Sequence, residues 1–241
     1  MAADVVNNLN ILAIDTATEA CSAALWLRGE IRERFEVTGR EHTQKLMPQV
    51  AALMAEAGIA FAQLDGIACG IGPGSFAGVR IGVGYVKGLA LALDRPVAGV
   101  SSLAMLALRG MREHHATQVL AAIDARMNEV YFGAYRATAD GSVEALAPPR
   151  VCAPASAPVQ PSGTYLAAGS GWGAYGNVLH SAAGVELSAI QADALPHAED
   201  ALRLALPEFI AGRGINADQL VPLYLRDKVA LNLAEQAALR K

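Results

Sequence analysis

The sequence predicts an α/β fold built from two related halves. Of its 241 residues, 53% are hydrophobic and 17% are charged, which is enough apolar material to bury a sizeable core. Its high alanine and glycine content is typical of tightly packed α/β proteins rather than of disordered chains. An apolar run that ends in an acid, followed by a turn and a second strand, occurs at residues 10–27 and again at residues 118–136. This repetition indicates an internal duplication.

The first half is predicted to alternate strands and helices. Short apolar runs bounded by turn residues predict five strands, at residues 10–15, 21–27, 31–37, 64–71 and 96–100. Helical spacing of apolar residues and capping residues predict three helices, at residues 43–57, 76–93 and 102–112. We expect Thr43 to cap the first helix and Gly58 to lie just past its end.

The second half is predicted to contain fewer elements. Three strands are expected, at residues 118–124, 129–136 and 165–169, with a helix after Gly169 and an amphipathic helix over residues 197–211. The segment 147–161 is rich in Pro, Ala and Ser and is predicted to be an exposed meander. The tail, residues 228–241, is predicted to be helical.

The helix predicted after residue 75 is crowded with glycine. Each glycine in a helix interior costs about 1 kcal/mol relative to alanine, so the four at positions 78, 82, 84 and 88 cost about 4 kcal/mol together. One groove is predicted along Gly74, Gly78 and Gly82, and a second along Gly84, Gly88 and Ala92. A helix with this pattern is expected to make very close contact, either with its own core or with a second protein.

Charge, cysteine content and the chain start favour a cytoplasmic protein. The formal net charge of −4 argues against a chain that grips nucleic acid by itself, because phosphate binding needs a basic footprint. Three unpaired cysteines are typical of reduced thiols. The first residues have neither the basic region nor the apolar core of a signal peptide. Arg80 and Lys87 interrupt the most apolar window, which argues against a membrane span.

Three kinds of catalytic site find little support. The glycine turn at residues 72–77 resembles a dinucleotide-binding turn, but the next strand ends in Ser101 rather than in an acid. Ser75 and Ser170 both lack the flanking glycines of a hydrolase nucleophile elbow. The five histidines show no metal-ligand spacing, so no metal site is expected.

Asp15 and Asp124 are the most suggestive acids. Each ends a predicted strand beside a turn of small residues. Acids in this position can hold Mg²⁺ near the phosphates of a nucleotide. They can equally cap their own turns by accepting hydrogen bonds from backbone amides. The spacing alone leaves both interpretations open.

Four motifs together resemble the TsaB (YeaZ) family over nearly the whole chain. They are ILAIDTAT at residues 11–18, EHTQKLMP at 41–48, GIGPGSFAGVRIG at 70–82 and PLYLR at 222–226. The resemblance implies an actin/Hsp70/sugar-kinase-like (ASKHA) fold of two RNase H-like halves. It implies an N-terminal half over residues 1–104 that carries the partner-binding helices, a C-terminal half over residues 105–227, and a helical tail over residues 228–241.

The resemblance also implies a noncatalytic role. Members of this family are needed, with TsaD and the ATPase TsaE, to transfer a threonylcarbamoyl group to adenosine 37 of tRNA. The His-x-x-x-His metal pair of TsaD matches Ser102 and Leu106 here, and neither residue can bind a metal. We therefore expect no catalytic residue and no cofactor of the chain's own, with ATP only at the level of the complex. The alternative is an autonomous ATPase or an M22-type metallopeptidase of the same fold.

Some residues are still candidates to face a nucleotide. The turn after Asp15 has Thr16 and Ala17 where ATPases of this fold have a glycine, and the possible adenosine-side glycines are followed by Trp172. The candidates are Asp15, Thr16, Asp124, Gly169 and Gly171.

The partner surface is expected on the first two helices, residues 43–57 and 76–93. By resemblance, these helices form a four-helix contact with the equivalent pair of TsaD, or with a second copy when TsaD is absent. Direct contact with a membrane is not expected, and tRNA is expected to be met only through the complex. Arg80 and Lys87, seven residues apart, either choose the register of this contact or are the solvated ends of a mostly buried helix. The predicted interface residues are Leu46, Met47, Val50, Met54, Gly74, Gly78, Arg80, Gly82, Tyr85 and Lys87.

Overall fold

The computed structural model describes residues 8–226, which form two mixed β-sheets flanked by helices. The first sheet has the strand order β3-β2-β1-β4-β5. Its strands are β1 (Asn10–Asp15), β2 (Ala20–Leu27), β3 (Glu30–Val37), β4 (Gly66–Gly72) and β5 (Val97–Ser101). The β1–β2–β3 meander is antiparallel, whereas β4 and β5 run parallel to β1.

The second sheet repeats this arrangement. It has the order β11-β10-β6-β7-β8, with β9 paired to β7. Its strands are β6 (Gln118–Arg126), β7 (Glu129–Ala137), β8 (Val143–Ala145), β9 (Arg150–Cys152), β10 (Thr164–Ala168) and β11 (Glu186–Gln191). The hairpin β6–β7 is antiparallel and β10 runs parallel to β6, as β4 does to β1. The duplication predicted from the sequence is therefore confirmed.

Helices cover both faces of each sheet. They are α1 (His42–Ala57), α2 (Phe76–Leu93), α3 (Ser102–His114), α4 (Ser170–Ala183) and α5 (Ala198–Ile210). Helices α1 and α2 cover one face of the first sheet, α5 covers the other, and α3 and α4 cover opposite faces of the second sheet. This is an ASKHA fold. Helix α5 lies late in the chain but packs on the first sheet. The boundary between the two halves at residues 104 and 105 stays a prediction.

Most predicted elements are present, with shifts at their ends. The N-cap of α1 is Glu41, so the prediction of Thr43 as the cap is wrong; Gly58 does end the helix, with a left-handed φ of 68°. Strands β8 and β11 were not predicted. The expected exposed meander contains β9 and a 3₁₀ turn, and Pro154 and Ala157 within it are buried. The tail, residues 228–241, lies outside the described residues.

After α5 the chain continues along the first half as a segment over residues 215–226, which contains the 3₁₀ turn Ala217–Gln219. We call this segment the strap. Ile215 forms a bridge with Val97, and the Leu223 amide donates to the Ile71 carbonyl at 2.8 Å. The strap therefore brings the PLYLR motif against the end of β4 and the start of α2.

Within residues 8–226, α2 is long and apolar enough to match a membrane span by length and composition alone. Its buried residues, among them Val79, Val83 and Val86, belong to the core cluster of the first sheet. A core helix of a globular domain has these same properties.

Candidate functional site

The inner groove of α2 is filled by this chain itself. A Cβ at Gly74 would collide with the Ala17 carbonyl, and one at Gly78 would collide with the Thr16 carbonyl. At Gly82 a Cβ would lie 2.6 Å from the Thr16 hydroxyl oxygen, and that hydroxyl donates to the Gly78 carbonyl at 2.7 Å. The β1–β2 turn thus presses directly on the helix backbone. The prediction that Gly74, Gly78 and Gly82 face a partner is therefore corrected.

Some of the predicted interface residues of α1 also belong to the core, and one is exposed. Leu46, Val50 and Met54 are at most 2% exposed and belong to the core of the first sheet. Their assignment to the partner surface is wrong, because the helical stripe that they form is the one that faces the sheet. Met47 is 62% exposed. Met47 lies on the outward side of α1, one turn before the exposed small residues Ala51 and Ala55.

The outer groove of α2 is open. No other atom of residues 8–226 lies within 4 Å of a Cβ placed at Gly84 or at Gly88, apart from the helix's own backbone and the adjoining residues. The neighbouring Leu91 is 67% exposed, and Ala92 is exposed as well. Tyr85 is half-buried, and this burial raises the pKa of its hydroxyl. Because α1 and α2 cover the same face of the sheet, their outer sides form one surface of small and apolar residues directed away from the core.

Arg80 and Lys87 share a face of α2, and that face meets the strap. The Lys87 ammonium donates to the carbonyl oxygens of Asp218 and Leu220, at 3.1 Å each. Lys87 is thus used inside the chain, which corrects its assignment to the partner interface. The Arg80 guanidinium is exposed and lies over the Phe76 ring, 3.2 Å from its centroid, and 5.4 Å from that of Tyr224.

A cleft of about 640 Å³ lies beside the start of α2, between the two sheets. It is bordered by the β1–β2 turn, the β4–α2 turn, the β6–β7 turn and the end of the strap. The side chains at its edges include Arg40, Phe76, Asp124, Tyr131 and Tyr224.

Asp124 lines this cleft and is held by its own turn. Its carboxylate accepts from the Arg126 amide at 2.9 Å and from the Arg126 guanidinium at 2.8 Å. Its amide donates to the Ser170 hydroxyl at 3.1 Å. Arg126, Met127 and Asn128 all have positive φ between 56° and 61°, which makes this a tight turn. The observed bonds are those of an acid that caps its own turn.

Asp15 does not line the cleft. Its side chain is fully buried; one carboxyl oxygen accepts from the Ala17 amide at 3.3 Å, and the other has no hydrogen-bond partner among the described residues. Only the missing side chain of Gly70 leaves room for this second oxygen. Burial raises the pKa of Asp15 from 3.8 to about 7, because desolvation disfavours the charge more than the hydrogen bond from the Ala17 amide favours it.

The glycines expected to face a nucleotide pack against β6 instead. A Cβ at Gly169 would collide with the Ala122 carbonyl, and one at Gly171 would lie 2.9 Å from the Ala122 Cβ. Trp172 is buried and its indole donates to the Leu120 carbonyl at 2.9 Å. Thr16 is also buried under α2. Of the five candidate residues, the structure places Asp124 alone at the cleft, and the other four assignments are corrected.

The part of the chain that the structure describes contains no group of three or more His, Cys, Asp or Glu side chains placed to hold a metal ion. Ser102 and Leu106, which were predicted by resemblance to stand at the metal-binding positions of TsaD, are both buried in the packing of α3.

Comparisons with known proteins agree on one family. A protein named "tRNA threonylcarbamoyladenosine biosynthesis protein TsaB" from Escherichia coli is 41% identical over 92% of this chain and 96% of its own length. The protein of that name from Haemophilus influenzae is 38% identical over 93% of this chain and 96% of its own length. The chain belongs to the TsaB family.

A solved structure and a family model support this membership. The structure described as YeaZ from Pseudomonas aeruginosa has 44% sequence identity and a TM-score of 0.84, and it covers 90% of this chain and 100% of its own. The family model described as TsaD, a tRNA N6-adenosine threonylcarbamoyltransferase, matches residues 36–231. A TsaB-type chain thus shares its scaffold with the transferase family named in that description.

Sequence reasoning missed two features of this site. It did not find the pairing of Phe76 and Arg80 with Tyr224, although the i, i+4 spacing of the first two was a signal. It also missed the role of the Thr16 hydroxyl, because no local pattern shows that the β1–β2 turn lies on α2.

Proposed function

We propose that this chain is a noncatalytic subunit in the biosynthesis of threonylcarbamoyladenosine in tRNA. The names of its relatives support the pathway. The noncatalytic role is supported by the state of the two acids that could serve nucleotide chemistry. Asp124 is neutralised by Arg126, and Asp15 is buried with its pKa raised to about 7.

The observation that carries this proposal is the open outer groove of α2. Helix-interior glycine lowers stability, yet within the described part of the chain Gly84 and Gly88 have no neighbour that requires it. A partner helix that approaches closely would require it, as in other contacts between glycine-grooved helices. The partner is a TsaD-type subunit that presents its own pair of helices to the surface formed by Met47, Gly84, Gly88 and Leu91.

The wider assembly follows from this docking. The cytoplasmic complex includes the ATPase TsaE, and tRNA and ATP are bound at the level of the complex. In the absence of TsaD, the same helices pair two copies of this chain, so that homodimer and heterodimer compete for one surface.

Reconstitution tests the proposal. Purified chain, TsaD, TsaE and the enzyme that makes threonylcarbamoyl-adenylate are combined with unmodified tRNA, and threonylcarbamoyladenosine is measured with and without this chain. We expect modification only when the chain is present, and no nucleotide turnover by the chain alone. Full modification in its absence would contradict the proposed role, and ATP hydrolysis by the isolated chain would support an autonomous ATPase instead.

A further inference from the structure

The strap and α2 together form an aromatic–arginine cluster, defined by Phe76, Arg80 and Tyr224, at the rim of the cleft. The two rings are tilted by 36°, with centroids 6.4 Å apart, and each residue is 51% exposed. The guanidinium of Arg80 lies over the Phe76 ring, 3.2 Å from its centroid, and to one side of the Tyr224 ring, 5.4 Å from its centroid. Stacking of this kind fixes the plane of a guanidinium while leaving its edge free.

The edge of Arg80 has no partner among the residues that the structure describes. Within residues 8–226, its guanidinium makes no hydrogen bond and no ion pair, and its contacts are with aromatic rings. A guanidinium held in place with free in-plane N–H groups is suited to bind a phosphate or carboxylate with two parallel hydrogen bonds. The cluster is therefore prepared for an anionic group from outside.

The charge around the cleft favours the same kind of group. Arg126 neutralises Asp124, and Arg226 neutralises Glu129 at 2.6 Å. Among residues 8–226, Arg40 lines the cleft without an ion pair, and Glu19 is the remaining acid in its lining. The two unpaired arginines thus leave a local excess of positive charge on a chain whose net charge is −4.

We propose that the aromatic–arginine cluster holds an unpaired nucleotide of RNA, with the base stacked on Tyr224 and the phosphate at the edge of Arg80. This inference rests on the proposed function, because the modified molecule in that pathway is a tRNA. An acidic side chain needs the guanidinium but not the half-exposed ring of Tyr224 beside it, whereas a nucleotide uses both. Since the chain is acidic, this contact adds to the RNA affinity of the assembled complex and does not supply that affinity by itself.

The experiment uses the complex of the full chain with its TsaD-type partner. It is titrated with a fluorescein-labelled RNA hairpin that has an unpaired loop and, separately, with the blunt duplex of the same stem. We expect Tyr224→Ala and Arg80→Ala each to weaken loop binding about 5-fold or more, because base–aromatic stacks typically contribute that much. Duplex binding is expected to change little. Arg80→Lys keeps the charge but loses the planar fork, and we expect it to behave like Arg80→Ala.

Arg28→Ala is the matched control. Arg28 is an exposed arginine in the β2–β3 turn, beside the Asn10 end of β1, whereas the cleft lies at the Asp15 end. Loop RNA that binds all these variants as tightly as the unaltered complex would overturn the inference. Weaker binding of the partner itself by the Arg80 and Tyr224 variants would do the same, since it would identify the cluster as a protein contact. Either result leaves the reconstitution assay of the proposed function unaffected, so the two proposals fail separately.

Discussion

The Lys87 ammonium lies 3.1 Å from the carbonyl oxygen of Leu220, a residue 133 positions later in the chain. This bond, with its twin to Asp218, ties the strap to the middle of α2. The helix proposed to meet a partner and the segment that borders the cleft are therefore fastened to one another.

Loss of the Lys87 contact is expected to loosen the strap. Lys87→Met keeps most of the apolar stem but leaves two carbonyls without their charged donor. We therefore expect the free energy of unfolding to fall by about 1 kcal/mol. Chemical denaturation measures the change, and Lys87→Arg is the control that keeps a charged donor. Equal stability of Lys87→Met and the unaltered chain would show that the strap is held by its apolar contacts alone.

The two grooves of α2 are expected to respond in opposite ways to one added methyl group. Gly88→Ala is expected to stabilise the chain by about 0.5–1 kcal/mol, since the position is helical and open. Gly78→Ala is expected to destabilise it by roughly 2 kcal/mol or more, because the new Cβ collides with the Thr16 backbone. Thermal unfolding of the two variants, side by side, measures both. A stabilised Gly78→Ala variant would contradict the packing of the β1–β2 turn on α2.

Asp15 is expected to make stability depend on pH. Its pKa is about 7 in the folded chain against 3.8 as its ordinary value, so the native state binds more protons between these limits. The contribution of Asp15 to the free energy of unfolding is therefore fully present below about pH 4 and is lost as the pH rises towards 7. Asp15→Asn cannot ionise, and we expect its stability relative to the unaltered chain to rise from pH 4 to pH 7 and then to level off. Urea denaturation across this range measures the difference, and a constant difference would contradict the assignment.

The ion pair between α3 and α5 gives a second pH dependence. Asp200 is fully buried and its pKa is raised to about 6, mainly by desolvation, while Arg112 at 2.9 Å opposes that rise. Removal of the guanidinium by Arg112→Ala is expected to cost roughly 2 kcal/mol at pH 8, where Asp200 is charged, and clearly less at pH 5. Denaturation at the two pH values tests this. Arg109→Ala, which removes a partly exposed pair within α3, is the control and is expected to show little change at either pH.

The sequence was sufficient to predict the strands of the first sheet. The run that forms β1 is apolar without interruption because that strand is buried on both faces. Strand β11 was missed since four of its six residues are exposed and they do not alternate with apolar ones. The fold was therefore predictable where burial leaves a periodic pattern and was missed where it does not.

The candidate site could be predicted only in part from the sequence, for a different reason. Glycine spacing correctly predicted two grooves on α2, but which of them stays open depends on Thr16 and Ala17, about 60 residues earlier in the chain. The same non-local packing places Tyr224 beside Phe76. Local periodicity identifies a helix face but does not identify what covers it. That is why Gly78 and Gly82 were assigned to a partner when they belong to the core.

The most direct test of the account is the affinity of a Gly88→Leu variant for the TsaD-type partner, measured by calorimetry together with its thermal stability. The leucine enters open space in this chain and replaces a poor helix former, so the variant is expected to fold at least as stably as the unaltered protein. Because the side chain fills the outer groove, we expect binding to weaken at least about 10-fold, which corresponds to 1.4 kcal/mol. Unchanged affinity in a stably folded Gly88→Leu variant would contradict the claim that the chain acts through this face of α2.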